Sequence, residues 1–292
     1  MNVIARNEVT KQSLRLDCFT PSEFARTVKK RSVRVKKALA ACLPRENEHP
    51  RELSRAMRYA VLSGGKRIRP IFTLAACEAV GGRETAVLDA ACALELIHSY
   101  SLVHDDLPCM DNDLMRRGKP SCHAKFGQVT ALLAGDALLS LAFHVLARTR
   151  GKRQIQAVQW IAEAIGSRGM VGGQALDMEF QAKEADLPTL EYINTHKSGA
   201  LIAACTRVGA YLGGGTPRQV EALYRYGKYV GLLFQVVDDI MDQQGYARAL
   251  GVRGAREEAA LLLANAKREL SPFGKKGQFL EAVADFMVTR KN

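Results

Sequence analysis

Residues 84–106, ETAVLDAACALELIHSYSLVHDD, are apolar at almost every position and end in two carboxylates. A helix that is apolar on all sides must be enclosed by other elements. The rest of the chain supplies them. SEFARTVKKRSVRVKKALAACL repeats apolar residues at three- and four-residue spacing and stops at Pro44. HPRELSRAMRYAVLSGG ends in Gly64–Gly65, a helix C-terminal signal. RPIFTLAACEAVGG starts on Pro70 and stops at Gly81–Gly82. Blocks of the same period cover 128–149, 153–174, 189–213, 217–242, 254–270 and 277–290. Connections are short and alternating strand patterns are absent. The sequence therefore predicts an all-α fold: a single-domain bundle of long, mostly antiparallel helices around a central catalytic cavity.

At 292 residues the chain can bury a sizeable core, and its formal charge of +12 suits polyanionic partners. Its densest basic run, KKRSVRVKK (29–37), lacks interleaved aromatics and any helix-turn-helix or zinc pattern. It reads as a solvated helix face, and no nucleic-acid partner is expected. The seven cysteines are odd in number, scattered and without a C-x-x-C pair. That argues for free thiols in a reducing, cytoplasmic setting, with Cys77, Cys92 and Cys205 in the core. No membrane span is expected, since TALLAGDALLSLAFHVLA carries Asp136 in its middle. The first sixteen residues are poor in acids and carry Arg6, Lys11 and Arg15, with no secretory apolar stretch.

The chemistry lies in two acidic clusters. VHDDLPCMDNDLMRRG (103–118) holds Asp105, Asp106 and Asp111, followed by Arg116 and Arg117. Pro108 breaks the helix between them and can bring Asp111 back towards Asp105. GLLFQVVDDIMD (231–242) holds Asp238, Asp239 and Asp242. Asp238 and Asp242, four apart, sit about 40° apart on one helix face. Carboxylates grouped at the ends of apolar helices need a cation, and hard oxygen donors suit Mg²⁺ shared with substrate phosphates. The complementary cations are Lys66, Arg67 and Arg69 of GGKRIRP, Arg116, Arg117, and His196–Lys197–Ser198 of THKSGAL. No phosphate-binding glycine loop of the G-x-x-x-x-G-K-[ST] or G-x-G-x-x-G kind is present. The pattern fits diphosphates and bridging Mg²⁺ held among helices.

GGKRIRP, LIHSYSLVHDDLPCMDNDLMRRGKPSCH, LLAGDALL, GGQALD, HKSGAL, FQVVDDIMD and the closing FMVTRKN occur in this order. Together they resemble the trans-isoprenyl diphosphate synthases, the polyprenyl synthetase family. The resemblance runs over 19–292 and leaves 1–18 as an N-terminal extension. DDLPCMD has the two-residue insertion typical of bacterial farnesyl and of plant and bacterial geranylgeranyl synthases.

The resemblance implies a Mg²⁺-dependent prenyltransferase that joins isopentenyl diphosphate head-to-tail to an allylic diphosphate. Asp105, Asp106, Asp111, Asp238, Asp239 and Asp242 would bind metal. Arg116, Lys197, Ser198 (where the family usually has threonine) and Gln235 would contact the allylic substrate. Lys66, Arg69, His98 and Arg117 would hold isopentenyl diphosphate, and Gln174 and Asp177 would support the cavity. Catalysis would rest on Asp105, Asp106, Asp111, Lys197 and Asp238. A homodimer is implied, with the apolar face of TALLAGDALLSLAF as candidate interface.

Tyr100 and Ser101, the latter one turn before Asp105, are expected to floor the chain-length pocket; Tyr100 lies about 7.5 Å back along the axis. A bulky Tyr100 resembles the bacterial farnesyl synthases and predicts farnesyl diphosphate as product, with geranylgeranyl diphosphate as the alternative.

One departure stands out. After Asp242 the family continues through a glycine- and lysine-containing loop and a K-x-T-Y-P stretch. Here QQGYARALG follows directly, so about twenty residues of that pattern are missing, with a lysine that faces the allylic diphosphate. Either the sequence lacks a segment of the protein or the loss is real. A real loss would point to a non-catalytic subunit of a prenyl synthase. A cyclising terpene synthase is the other rival, opposed by GGKRIRP and Arg117, because a cyclase has no second diphosphate to hold.

Overall fold

The computed structural model describes residues 20–149, 151–180 and 186–289; the N-terminal extension lies outside the described residues. Helix α1 (Pro21–Cys42) opens on a capping box in which Thr20 and Glu23 satisfy each other's backbone N–H groups. Helices α2 (Arg51–Leu62) and α3 (Ile68–Ala79) lead to α4 (Leu88–Asp105). Then come a two-residue ribbon, β1 (Met115–Arg116) and β2 (Lys119–Pro120), and the short α5 (Cys122–Phe126). Helices α6 (Gln128–Leu146), α7 (Gln154–Ile165), α8 (Met170–Phe180) and α9 (Leu187–Asn194) follow. A π-helical turn, Thr195–Gly199, leads into α10 (Ala200–Leu212). The chain ends with α11 (Pro217–Asp242), α12 (Gly245–Ala249), α13 (Gly251–Leu270) and α14 (Gln278–Thr289).

The enclosure demanded by the apolar 84–106 stretch is realised. Leu94, Leu96 and Ile97 of α4 are fully buried, and α4 packs along α6 and against α3. Helix α10 packs on α3, α7 and α11, and α13 covers the far side of α11. Cys77, Cys92 and Cys205 lie in this core as free thiols. The fold is an all-α, single-domain bundle around a central cavity.

Three expectations are corrected. The predicted helix over 153–174 is two helices, because the chain leaves helical geometry at Gly166 (ψ −165°). The run over 189–213 contains the π turn. A strand pair exists, although only two residues long. Helix α6, at 19 residues and mean hydropathy 1.8, is long and apolar enough to cross a membrane by length and composition. Here it packs along α4 and leaves Val129, Leu132 and Leu133 exposed on its other side.

The basic run 29–37 is a solvated face only in part. Arg31 turns inward at 4% exposure, pairs with Glu78 and Glu84, and lies 4.2 Å over the Phe279 ring. Lys29, Lys30, Lys36 and Lys37 stay exposed.

Candidate active site

Between α4, α8, the π turn and α11 lies a cavity of about 1280 Å³. Its walls include Lys66, Arg69, His98, Tyr100, Ser101, Asp105, Arg116, Arg117, Lys197, Ser198 and Gln235. The rest is largely apolar, with Leu102, Leu107, Met170, Met178 and Phe234. The structure thus brings most of the sequence-predicted substrate residues into one space.

The cationic end is built by a tight turn. Gly64 and Gly65 have φ of 127° and 115°, and Arg67 is left-handed at 54°. Arg117 comes from the ribbon, whose two turn residues, Arg117 and Gly118, have φ of 55° and 71°. Positive φ at both positions is the type I′ geometry that matches strand twist in a two-residue hairpin. The turn delivers the Arg117 guanidinium to Gly64, whose carbonyl accepts from Nη1 at 2.5 Å. A Cβ on Gly65 would stand 2.6 Å from that same nitrogen, so only glycine lets the guanidinium lie there.

Arg67 faces the core instead. Its Nη1 donates to Glu95 Oε1 at 2.6 Å and its Nη2 to the Val61 carbonyl, with both charged side chains buried. Sequence reasoning missed Glu95; its signal is a lone acid inside a continuous apolar helix. Around this pair, burial lowers Arg69, and burial followed by the Arg67 charge lowers Arg117. His98 is held well below its usual range by burial and by the four neighbouring arginines. Its imidazole is therefore neutral at pH 7 and offers one donor and one acceptor.

The acidic end forms where α4 stops. The chain folds back so that the Asp111 N–H donates to the Asp105 carbonyl at 2.9 Å, the return that Pro108 makes possible. Burial, with the carboxylates of Asp111 and Asp106, pushes Asp105 up to about 6, against the pull of Lys197 and Arg116. Asp106 is 2% exposed and accepts from Arg116 Nε at 2.9 Å and from Nη2. Arg116 also reaches Asp113 at 3.1 Å.

Opposite, Lys197 Nζ donates to Asp177 Oδ2 at 2.6 Å. The approach of α8 to the π turn depends on Gly173, where a Cβ would strike the Lys197 backbone nitrogen. Gln174, one residue on, lines the cavity with both amide atoms buried and unpartnered. Such an amide calls for a ligand or water.

The second acidic cluster ends α11. Asp239 accepts from the Tyr246 N–H at 2.9 Å, and burial raises it against that bond and one from Asn194. Only Gln243, in a left-handed cap, and Gln244 separate α11 from α12. Asp106, Asp111, Asp238, Asp239 and Asp242 are not among the residues lining the large cavity. Among the described residues, no three acidic, histidine or cysteine side chains stand together as a closed metal cage.

The polyprenyl synthetase profile matches residues 50–255. Geranylgeranyl pyrophosphate synthase 4 of Arabidopsis thaliana is 48% identical over 216 residues, covering 72% of this chain and 58% of the relative. The chloroplastic geranylgeranyl pyrophosphate synthase of Capsicum annuum is 43% identical over 298 residues, covering 93% of this chain and 80% of the relative. Among solved structures, an FPP/GFPP synthase from Zymomonas mobilis superposes with a TM-score of 0.88 at 37% identity, over 92% of this chain and 100% of that one. Fold, site and these matches agree: the chain belongs to the polyprenyl synthetase family of prenyltransferases.

Proposed function

We propose that the chain condenses isopentenyl diphosphate head-to-tail with allylic diphosphates and ends at geranylgeranyl diphosphate. The observation that carries the chemistry is that one cavity holds a cationic group at Lys66, Arg69 and Arg117, a carboxylate at Asp105 facing Lys197 and Arg116, and a largely apolar remainder. Two diphosphates can be held at once, with their hydrocarbon parts in the shared apolar space. The twenty-carbon product is supported by the two plant relatives, both named for that activity.

The residues fit Mg²⁺. That ion takes one or two carboxylates and completes its shell with water and phosphate, so a closed protein cage is not needed. Asp105, Asp106, Asp111, Asp238, Asp239 and Asp242 would supply its carboxylates, with Asp106 also tied to Arg116 and Asp239 to the Tyr246 N–H. Bound Mg²⁺ would supply charge neutralisation for the departing diphosphate. Lys197 and Arg116 would add fixed positive charge at the same end. Neutral His98 would orient the isopentenyl diphosphate beside Arg69 and Arg117. The apolar walls would exclude water from the allylic cation, and the proton lost after attack would leave with the diphosphate.

Farnesyl diphosphate as end product is the second reading, and Tyr100 favours it. Its ring is 7% exposed, lies in the cavity wall and meets His104 edge-on at 5.7 Å. A non-catalytic subunit is the reading to adopt if purified protein makes no prenyl product.

Labelled isopentenyl diphosphate with dimethylallyl, geranyl or farnesyl diphosphate, followed by product chromatography, tests these readings. A twenty-carbon product supports the first, and a product stopping at fifteen carbons moves the assignment to the second. Tyr100→Ala should lengthen a fifteen-carbon product; an unchanged length would remove Tyr100 from the floor.

A further inference from the structure

The π-helical turn Thr195–Gly199 is shared by two cavities. Lys197 and Ser198 line the large one, whereas Thr195 and His196 line a second cavity of about 790 Å³. Trp160 of α7, Arg207 of α10 and Tyr224 and Lys228 of α11 wall this second space.

Its charge is one-sided. Arg168, Arg207 and Lys228 are set against the carboxylate of Glu163. Arg207 is held in a defined pose: its guanidinium carbon lies 3.8 Å from the Trp160 ring centre and 4.5 Å from that of Tyr224. Contact with both rings leaves the donor-bearing edge of the guanidinium as its route to a partner. Its Nε is buried and has no hydrogen-bond partner. With Nε enclosed, the terminal nitrogens are the donors that the guanidinium can offer an anion in the cavity. An arginine edge matches phosphate oxygens, and two further cations in the wall favour a dianion over a single carboxylate.

We propose that this cavity binds a phosphate dianion, free or carried on a small organic monoester, with Arg207 as the anchoring residue. The site lies behind the turn that carries Lys197 and is distinct from the diphosphate-facing wall around Arg69 and Arg117.

The test is equilibrium dialysis of the full chain, without Mg²⁺, against inorganic phosphate and separately against glycerol phosphate. Two classes of phosphate site are expected. Arg207→Gln should remove one class, Lys228→Gln should weaken that same class about tenfold, and Arg69→Gln should leave it intact. Tighter binding of the monoester would assign an organic phosphate; equal or weaker binding would assign the free anion. If Arg207→Gln does not fold, Lys228→Gln on the exposed rim decides. Phosphate binding that is the same in wild type and in the folded variants at 207 and 228 would overturn the proposal. Prenyl transfer does not enter the measurement, so its outcome is separate from the assignment of the main site.

Discussion

Lys197 is held by Asp177: its ammonium donates to Oδ2 at 2.6 Å from the neighbouring helix α8. The contact fixes a flexible side chain at the acidic end of the cavity, where its charge opposes the rise that burial imposes on Asp105. Asp177→Asn should leave the fold intact and reduce kcat/KM for the allylic substrate roughly ten- to a hundredfold, the range of one charge-assisted hydrogen bond. Initial rates at varied allylic diphosphate check this. Unchanged kcat/KM would mean that the pair is only a surface ion pair.

Gly65 and Gly64 make a matched comparison. Both have positive φ, so alanine at either costs about 1–3 kcal/mol of backbone strain. Only at Gly65 would the new methyl displace Arg117, since nothing lies within 4 Å of where a methyl on Gly64 would stand. Both variants should lose similar thermal stability, whereas Gly65→Ala alone should raise KM for isopentenyl diphosphate. Equal KM values in the two would separate Arg117 from that substrate.

Asp105 links pH to metal. Its folded value of about 6 lies above the 3.8 of the free carboxyl, so the neutral form is favoured in the fold. The stability this group contributes is full below 3.8 and is lost as pH rises through about 6. A bound divalent cation favours the carboxylate and offsets that loss. Added Mg²⁺ should therefore raise Tm clearly at pH 7.5 and much less at pH 5, read by scanning calorimetry. An equal rise at both would show that Asp105 is not near the ion.

Val129 and Leu133, one turn apart on α6, are exposed apolar side chains, with Leu133 50% exposed. A homodimer, if this chain forms one, would cover an exposed apolar face of this kind. Leu133→Arg should convert a dimeric wild type to monomer in sedimentation experiments while the helical content stays constant. A dimer that survives the substitution would place the interface elsewhere.

Much of this architecture is legible in the sequence, because helical period and Pro, Gly and Thr punctuation act locally. The Thr216 capping box that opens α11 is an example: Gln219 answers it three residues on. The return of Asp111 to Asp105 follows from Pro108. Other features depend on partners far along the chain. GGKRIRP offers three cations, and nothing local says that Arg67 turns to Glu95, 28 residues away, while Arg69 lines the cavity. The same holds for Asp106, whose carboxylate is taken by Arg116 across a loop. The π turn lies inside a continuous helical run and a two-residue strand is too short to alternate, so neither leaves a period of its own to read.

The passage from α11 to α12 uses only Gln243 and Gln244, and Asp239 clamps its far side through the Tyr246 N–H. Ordering a long loop over a ligand consumes chain entropy at each encounter. A rim already fixed by a helix cap and a carboxylate has little of that disorder to lose. Where the passage is this short, a diphosphate reaching this end should bind with a small entropic penalty, whereas a protein carrying the longer family loop would lose chain entropy in ordering it.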